Sequence, residues 1–89
     1  MNEVEIILTE RVKRDYRKLS SDIQQKFKKQ LRFFAANPRH PSLQIQRIRG
    51  TEYWEFYIDI AYRGVFRREG STVFILAAGP HKVIDEFGR

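Results

Sequence analysis

The spacing of apolar residues along this chain changes period more than once, and each change marks a new element. Glu5-Ile6-Ile7-Leu8 is a short apolar run that predicts a strand, and Thr9 after it carries the hydroxyl that a helix N-cap needs. Val12, Tyr16 and Leu19 then recur at helical spacing. They predict a first helix through Arg11 to Leu19 whose remaining surface is Arg11, Lys13, Arg14, Arg17 and Lys18. Ser20-Ser21-Asp22 interrupts it, and Ser21 with Gln24 reads as a capping box that opens a second helix. Ile23, Phe27, Leu31 and Phe34 form that helix's apolar stripe, and Asn37-Pro38 stops it because proline disfavours helical geometry in its predecessor. The two helices are expected to form a hairpin.

From His40 onward the period shortens to two. Leu43 to Arg49 alternates as a half-exposed strand does, with a phase slip at Ile48 that predicts a bulge or a frayed end. Gly50-Thr51-Glu52 turns the chain. In the next strand Trp54, Phe56, Ile58 and Ile60 share the core face, and Tyr53, Glu55, Tyr57 and Asp59 share the other. Asp59 to Tyr62 reverses direction into Arg63–Arg67, and Glu69-Gly70-Ser71 supplies a second turn into Thr72–Ala78. That last run is almost continuously apolar and predicts an interior strand, ended by Gly79-Pro80, which releases His81 to Arg89 as a short tail. The expected fold class is α+β, in the order β-α-α-β-β-β-β: an N-terminal strand, a two-helix hairpin, an antiparallel β-meander and a C-terminal tail, all in one domain spanning residues 1–89.

Composition narrows the partners. At 89 residues and 42% hydrophobic the chain can bury one core without staples, and it contains no cysteine for disulfides or thiolate zinc sites. No stretch approaches the ~18 apolar residues of a membrane span, and no basic segment precedes an apolar run at the N-terminus, so the cytoplasm is the expected location. Seventeen Lys and Arg against eleven Asp and Glu give a net charge of +6, which favours polyanions: nucleic acid first, an acidic protein second. A basic, merely solvated surface is the third reading.

Cleaving RNA without a metal requires a base for the ribose 2′-hydroxyl, cationic donors for the phosphate and an acid for the leaving oxygen. Arg63, beside a strand turn, and His81, just past the last strand, suit the second and third tasks if they meet at one end of the sheet. The plainer alternatives are a strand arginine paired with Glu55 or Asp59, and a turn histidine bonded to backbone. Asp59, Glu55 and Glu52 are the candidate bases, although exposed strand carboxylates are commonly just ion-paired. Arg47, Arg49, Arg67 and Arg68 form a candidate phosphate rim beside Tyr53 and Tyr57, whose rings suit stacking on unpaired bases, and Lys82 adds a cation next to His81. The same arginines suit an acidic peptide equally well. With only His40 and His81 as imidazoles and no carboxylate pair at ligand spacing, the sequence implies no metal site and no cofactor. It also lacks a glycine-rich phosphate loop and the residues of a Ser-His-Asp or Cys-His arrangement.

Tyr53-Trp54 before the long strand, Tyr62-Arg63-Gly64-Val65-Phe66, and Gly79-Pro80-His81 after the last strand give the chain, over nearly its full length, a layout that resembles the RelE/ParE superfamily of bacterial toxins, in its RelE/YoeB-like branch. The resemblance implies that Arg63 steadies a scissile phosphate and that His81 assists proton transfer. It implies cleavage of messenger RNA in the ribosomal A site by 2′-hydroxyl attack without a metal, a cognate antitoxin that silences the toxin, and operator DNA bound only together with that antitoxin. Two departures stand out. Trp54 and Phe56 occupy strand positions where RelE carries lysines, and Lys82 follows His81 where YoeB-like members carry tyrosine, with Phe87 the next aromatic in the tail. The same fold also serves ParE-like DNA gyrase inhibition and catalytically inactive, antitoxin- and operator-binding relatives.

Overall fold

A computed structural model describes residues 3–88. It consists of β1 (Glu5–Leu8), α1 (Glu10–Arg17), α2 (Ser21–Ala36), a 3-10 turn at Pro41–Leu43, β2 (Gln46–Arg47), β3 (Trp54–Asp59), β4 (Tyr62–Glu69), β5 (Thr72–Pro80) and a 3-10 segment at His81–Glu86. The strands form one sheet in the order β1-β5-β4-β3-β2. β1 runs parallel to β5, and the other pairings are antiparallel. The α+β class, the helical hairpin, the meander and the interior position of the last strand all match the sequence-based expectation.

Thr9 caps α1 as expected, its Oγ1 accepting the Val12 amide at 3.3 Å, and the same hydroxyl donates to the Ile75 carbonyl at 2.8 Å. The cap thus ties the helix start to the sheet. α2 begins one residue earlier than a Ser21 cap requires: Ser20 is the N-cap, accepting the Ile23 amide, while the Gln24 side chain donates to the Tyr16 carbonyl and locks the hairpin turn. The predicted strand Leu43–Arg49 shrinks to Gln46–Arg47, because Pro41–Leu43 takes a 3-10 turn and the chain leaves the sheet at Ile48. The phase slip at Ile48 therefore marks a strand end.

Two apolar clusters cover the two faces of the sheet. Val12, Ile23, Phe27 and Phe34 from the helices pack on Phe56, Ile58, Phe66, Val73, Ile75 and Ala78. On the outer face, Val83 and Ile84 of the 3-10 segment pack on Ile48, Val65 and Ala77, and Phe87 meets the edge of Tyr53 at 5.4 Å. The tail is thus folded onto the sheet as a second cover. Among the described residues Gln30 is the one polar residue buried with the core; it falls on the apolar stripe of α2, and its Nε2 donates to the carbonyls of Ser42 (2.9 Å) and Tyr57 (2.7 Å). Those bonds satisfy its amide and join helix, 3-10 turn and strand.

Where β1 stops at Leu8 opposite Ile75, the edge of β5 would be bare. α1 covers it: the Asp15 carboxylate accepts the Ala78 amide at 3.0 Å and is held by Arg11 Nε at 3.1 Å, while Arg11 Nη2 reaches Glu86 at 2.9 Å. Burial lowers the affinity of Arg11 for its proton, but the bonds to Glu86 and Asp15 outweigh it and raise its pKa.

At the centre of the helix-side core, the ring of Phe56 lies against the bare backbone of Gly64, its register partner on β4. A Cβ at position 64 would stand 2.2 Å from two of the ring's carbons. Phe34 meets Phe56 and Phe66 edge-on at 5.6 and 4.9 Å, so the ring has no room to retreat. Gly64→Ala is therefore expected to lower unfolding free energy by about 1–3 kcal/mol, read by urea denaturation, the cost typical of overpacking a tight core.

Candidate functional site

The outer face of β3 and β4 carries the residues of interest. Phe56 faces the helices, so alternation sends Glu55 and Tyr57 outward, and the pairings Glu55↔Val65 and Tyr57↔Arg63 bring Arg63 to the same face. The guanidinium lies over the Tyr57 ring, 5.1 Å from its centroid. Its Nη1 donates to the carbonyls of Asp59 (2.7 Å) and Tyr62 (2.9 Å), and Nε stands 3.6 Å from Glu55 Oε1. Both side chains are largely covered, 18% and 16% exposed, so the pair is only partly screened by solvent. Nη2 makes no hydrogen bond to a described residue.

Opposite Arg63 on β5 is Gly79, two positions before His81, and the His81 amide donates to the Ala61 carbonyl at 2.9 Å. Backbone pairing thus brings the Arg63, His81 and Lys82 positions to the end of the sheet built by the β3–β4 turn, with His81 and Lys82 exposed at the start of the 3-10 segment and Lys82 lining a cleft with Asp15, Lys18 and Tyr62. The plainer reading of the arginine holds as well, since it is paired with Glu55; at His81 the bond in the turn is made by the main-chain amide.

Asp59 departs from expectation. The β3–β4 register shifts between Tyr57 and Asp59, so Asp59 pairs with the inward-facing Tyr62 and leaves the face of Tyr57 and Arg63. Its carboxylate instead meets Lys26 of α2 at 2.6 Å. The hydrogen bond from Lys26 holds Asp59 below the usual carboxylate range, and the same bond raises Lys26. The same irregularity strands Ile60, expected in the core, in the turn at 81% exposure. Glu55, not Asp59, is the side-chain carboxylate beside Arg63.

The expected basic rim also divides. Arg67 stays on the outer face, stacked over Phe74 at 4.6 Å and paired with Glu69, about 13 Å along β4 from Arg63 at strand rise. Arg47 pairs in register with Trp54, lies over its ring at 5.0 Å and so belongs to the helix-side face. Arg49 lies in the β2–β3 connection, at the opposite end of β3 from Arg63, and Arg68 lines a cleft elsewhere. Among the described residues no cluster of three or more His, Asp or Glu side chains has metal-binding geometry, and no helix is long and apolar enough to cross a membrane.

A helical hairpin on one face of such a sheet, with a tail folded over the other, is the fold of RelE/ParE-type bacterial toxins. The chain superposes on the YoeB/ParE toxin from Agrobacterium tumefaciens with a TM-score of 0.73 at 19% identity, covering 88% of this chain and 99% of that one. A chain of the intact Escherichia coli RelBE toxin–antitoxin complex matches at 0.69 and 23%, covering 86% and 95%, and YafQ from E. coli strain BL21(DE3) at 0.74 and 9%, covering 92% and 98%. At these identities the likeness is one of fold. No protein-family profile and no curated protein sequence matches the chain.

The depressed Asp59 pKa fixes the sign of a pH dependence. A carboxylate whose folded pKa lies below its unfolded value stabilises above the unfolded value, about 3.9, and loses that contribution as pH falls through the folded one. Asp59→Asn is expected to be less stable than the parent at pH 7 and equal to it in strong acid, measured by thermal melts across that range.

Proposed function

We propose that this chain is the toxin of a type II toxin–antitoxin pair and that it acts as a ribosome-dependent messenger-RNA endoribonuclease. What supports this reading is the Arg63–Glu55 pair on the outer face together with the backbone pairing that carries the His81 position to the same end of the sheet. Arg63 binds the scissile phosphate through Nη2, with Nη1 already anchored to backbone. Glu55 takes the 2′-hydroxyl proton, the 2′-oxygen attacks phosphorus to form a 2′,3′-cyclic phosphate, and the P–O5′ bond breaks as His81 gives its proton to the leaving oxygen. These groups supply the base, clamp and acid, so the reaction so drawn needs no metal. Tyr57, Arg67 and Lys82 line the path of the RNA, and the ribosome as target places the activity in the cytoplasm.

The E. coli neighbour described as a toxin–antitoxin complex supports an antitoxin as the protein partner. In vitro translation with primer extension tests the reading. The parent chain should cut messages at codon boundaries, and Arg63→Ala and His81→Gln should each reduce cutting by about 10²-fold or more. Undiminished cutting by both variants would overturn the assignment; intact messages with damaged DNA would point to gyrase instead. Glu55→Gln should cost at least about tenfold, as loss of a general base does, whereas Asp59→Asn should stay within about threefold; the opposite ranking would return the base to Asp59.

A further inference from the structure

On the helix-side face, remote from Arg63, lies a cleft of about 730 Å³ between the end of α2, the Pro38–Pro41 loop and the far ends of β3 and β4. Its walls are Phe34, Pro38, Pro41, Ile45, Trp54 and Phe66. Arg39 and Arg68 flank it and are exposed. Neither guanidinium meets a carboxylate among the described residues: Arg68 Nε donates to the Gly70 carbonyl at 2.6 Å, and neighbouring Glu69 is engaged by Arg67. An apolar slot of ligand-binding size between two unneutralised forks is complementary to an apolar group flanked by carboxylates.

RNA is the other polyanion to weigh, and the aromatic rings decide against it. Trp54 has one face under Arg47 at 5.0 Å, and it stacks on Phe66 at 6.4 Å with planes 16° apart. His40 lies flat on Phe33 at 4.0 Å, and Phe34 and Phe66 are locked edge to face. Single-stranded RNA binding draws on open ring faces for base stacking, and those faces are occupied here. A side chain entering the slot needs no free ring face. We infer that the cleft is the docking site for an acidic segment of a partner protein, which inserts one branched aliphatic or aromatic side chain against Trp54 and Pro41 and lays carboxylates on Arg39 and Arg68. This deepens the antitoxin half of the proposed function by naming a surface and its chemistry, and it is independent of RNA cleavage.

The test is selection of short random peptides against the folded full-length chain, followed by affinity measurement on variants. Enriched peptides should carry an aliphatic or aromatic residue flanked by Asp or Glu and should shift the indole N–H resonance of Trp54. They should bind Arg39→Glu and Arg68→Glu about tenfold or more weakly, and Arg63→Ala as well as the parent, with near-ultraviolet circular dichroism confirming that each variant is folded. Enriched peptides without acidic residues, or peptides indifferent to both charge reversals, would overturn the proposal. So would a single-stranded RNA oligonucleotide that shifts the Trp54 resonance when the peptides do not. Because selection uses neither ribosomes nor message, loss of RNA cutting with peptide docking intact refutes only the nuclease reading, and the reverse outcome refutes only the docking site.

Discussion

The register between β3 and β4 is the constraint on which the molecule's outer face depends, and the contact of the Phe56 ring with the bare backbone of Gly64 holds it. Side chains alternate along a strand, so a slip of one residue would carry Arg63 into the aromatic core and Phe66 out into water. No other residue type admits the ring so close. The glycine inside the Tyr62-Arg63-Gly64-Val65-Phe66 segment is therefore a packing requirement whose consequence is chemical: it aligns Arg63 with Tyr57 and sets Glu55 within reach.

Each face of the sheet is covered by something different, and this sorts the basic residues by role. On the helix side the cover is permanent core, with the cleft beside Trp54 open at its margin; on the outer side the cover is the tail, which leaves the Arg63 end uncapped while it buries Val83 and Ile84. Trp54 and Phe56 face the helices. Lysines at those two positions would have to be accommodated on the core side, so the outer face draws its cations from β4, as Arg63 and Arg67 show.

Much of this was legible in the sequence because it rests on local periodicity. The α2 stripe, the Thr9 cap, the two glycine turns and the apolar β5 are each set by residues near one another in the chain. What escaped was set by partners far apart. The Asp15 bond to the Ala78 amide spans most of the chain, and nothing in the α1 pattern distinguishes that carboxylate from a solvated one. The irregularity after Tyr57 shifts Asp59 and Ile60 off the faces that strict alternation assigned them, and no glycine or proline announces it. Gln30 lies between these cases: it sits on the stripe between Phe27 and Phe34, and a polar residue there signals a buried amide with backbone partners.

Arg63 illustrates how the fold can prepare a binding group before any ligand arrives. A free arginine side chain loses roughly 2 kcal/mol of rotamer entropy on being fixed, and a ligand that does the fixing forfeits that much affinity. Here two carbonyls and the Tyr57 ring fix the guanidinium during folding, and Glu55 offsets part of its charge on a face where Arg67 also contributes. The arrangement cuts both ways. Donors given to Asp59 and Tyr62 are withdrawn from any phosphate, so the grip falls to Nη2, and recruiting Nε requires Glu55 to turn aside. On the proposed reading, a carboxylate displaced by a phosphate diester is left beside the sugar attached to it, which is where a base for the 2′-hydroxyl has to stand, so the Glu55–Arg63 ion pair is the same contact that would position the base.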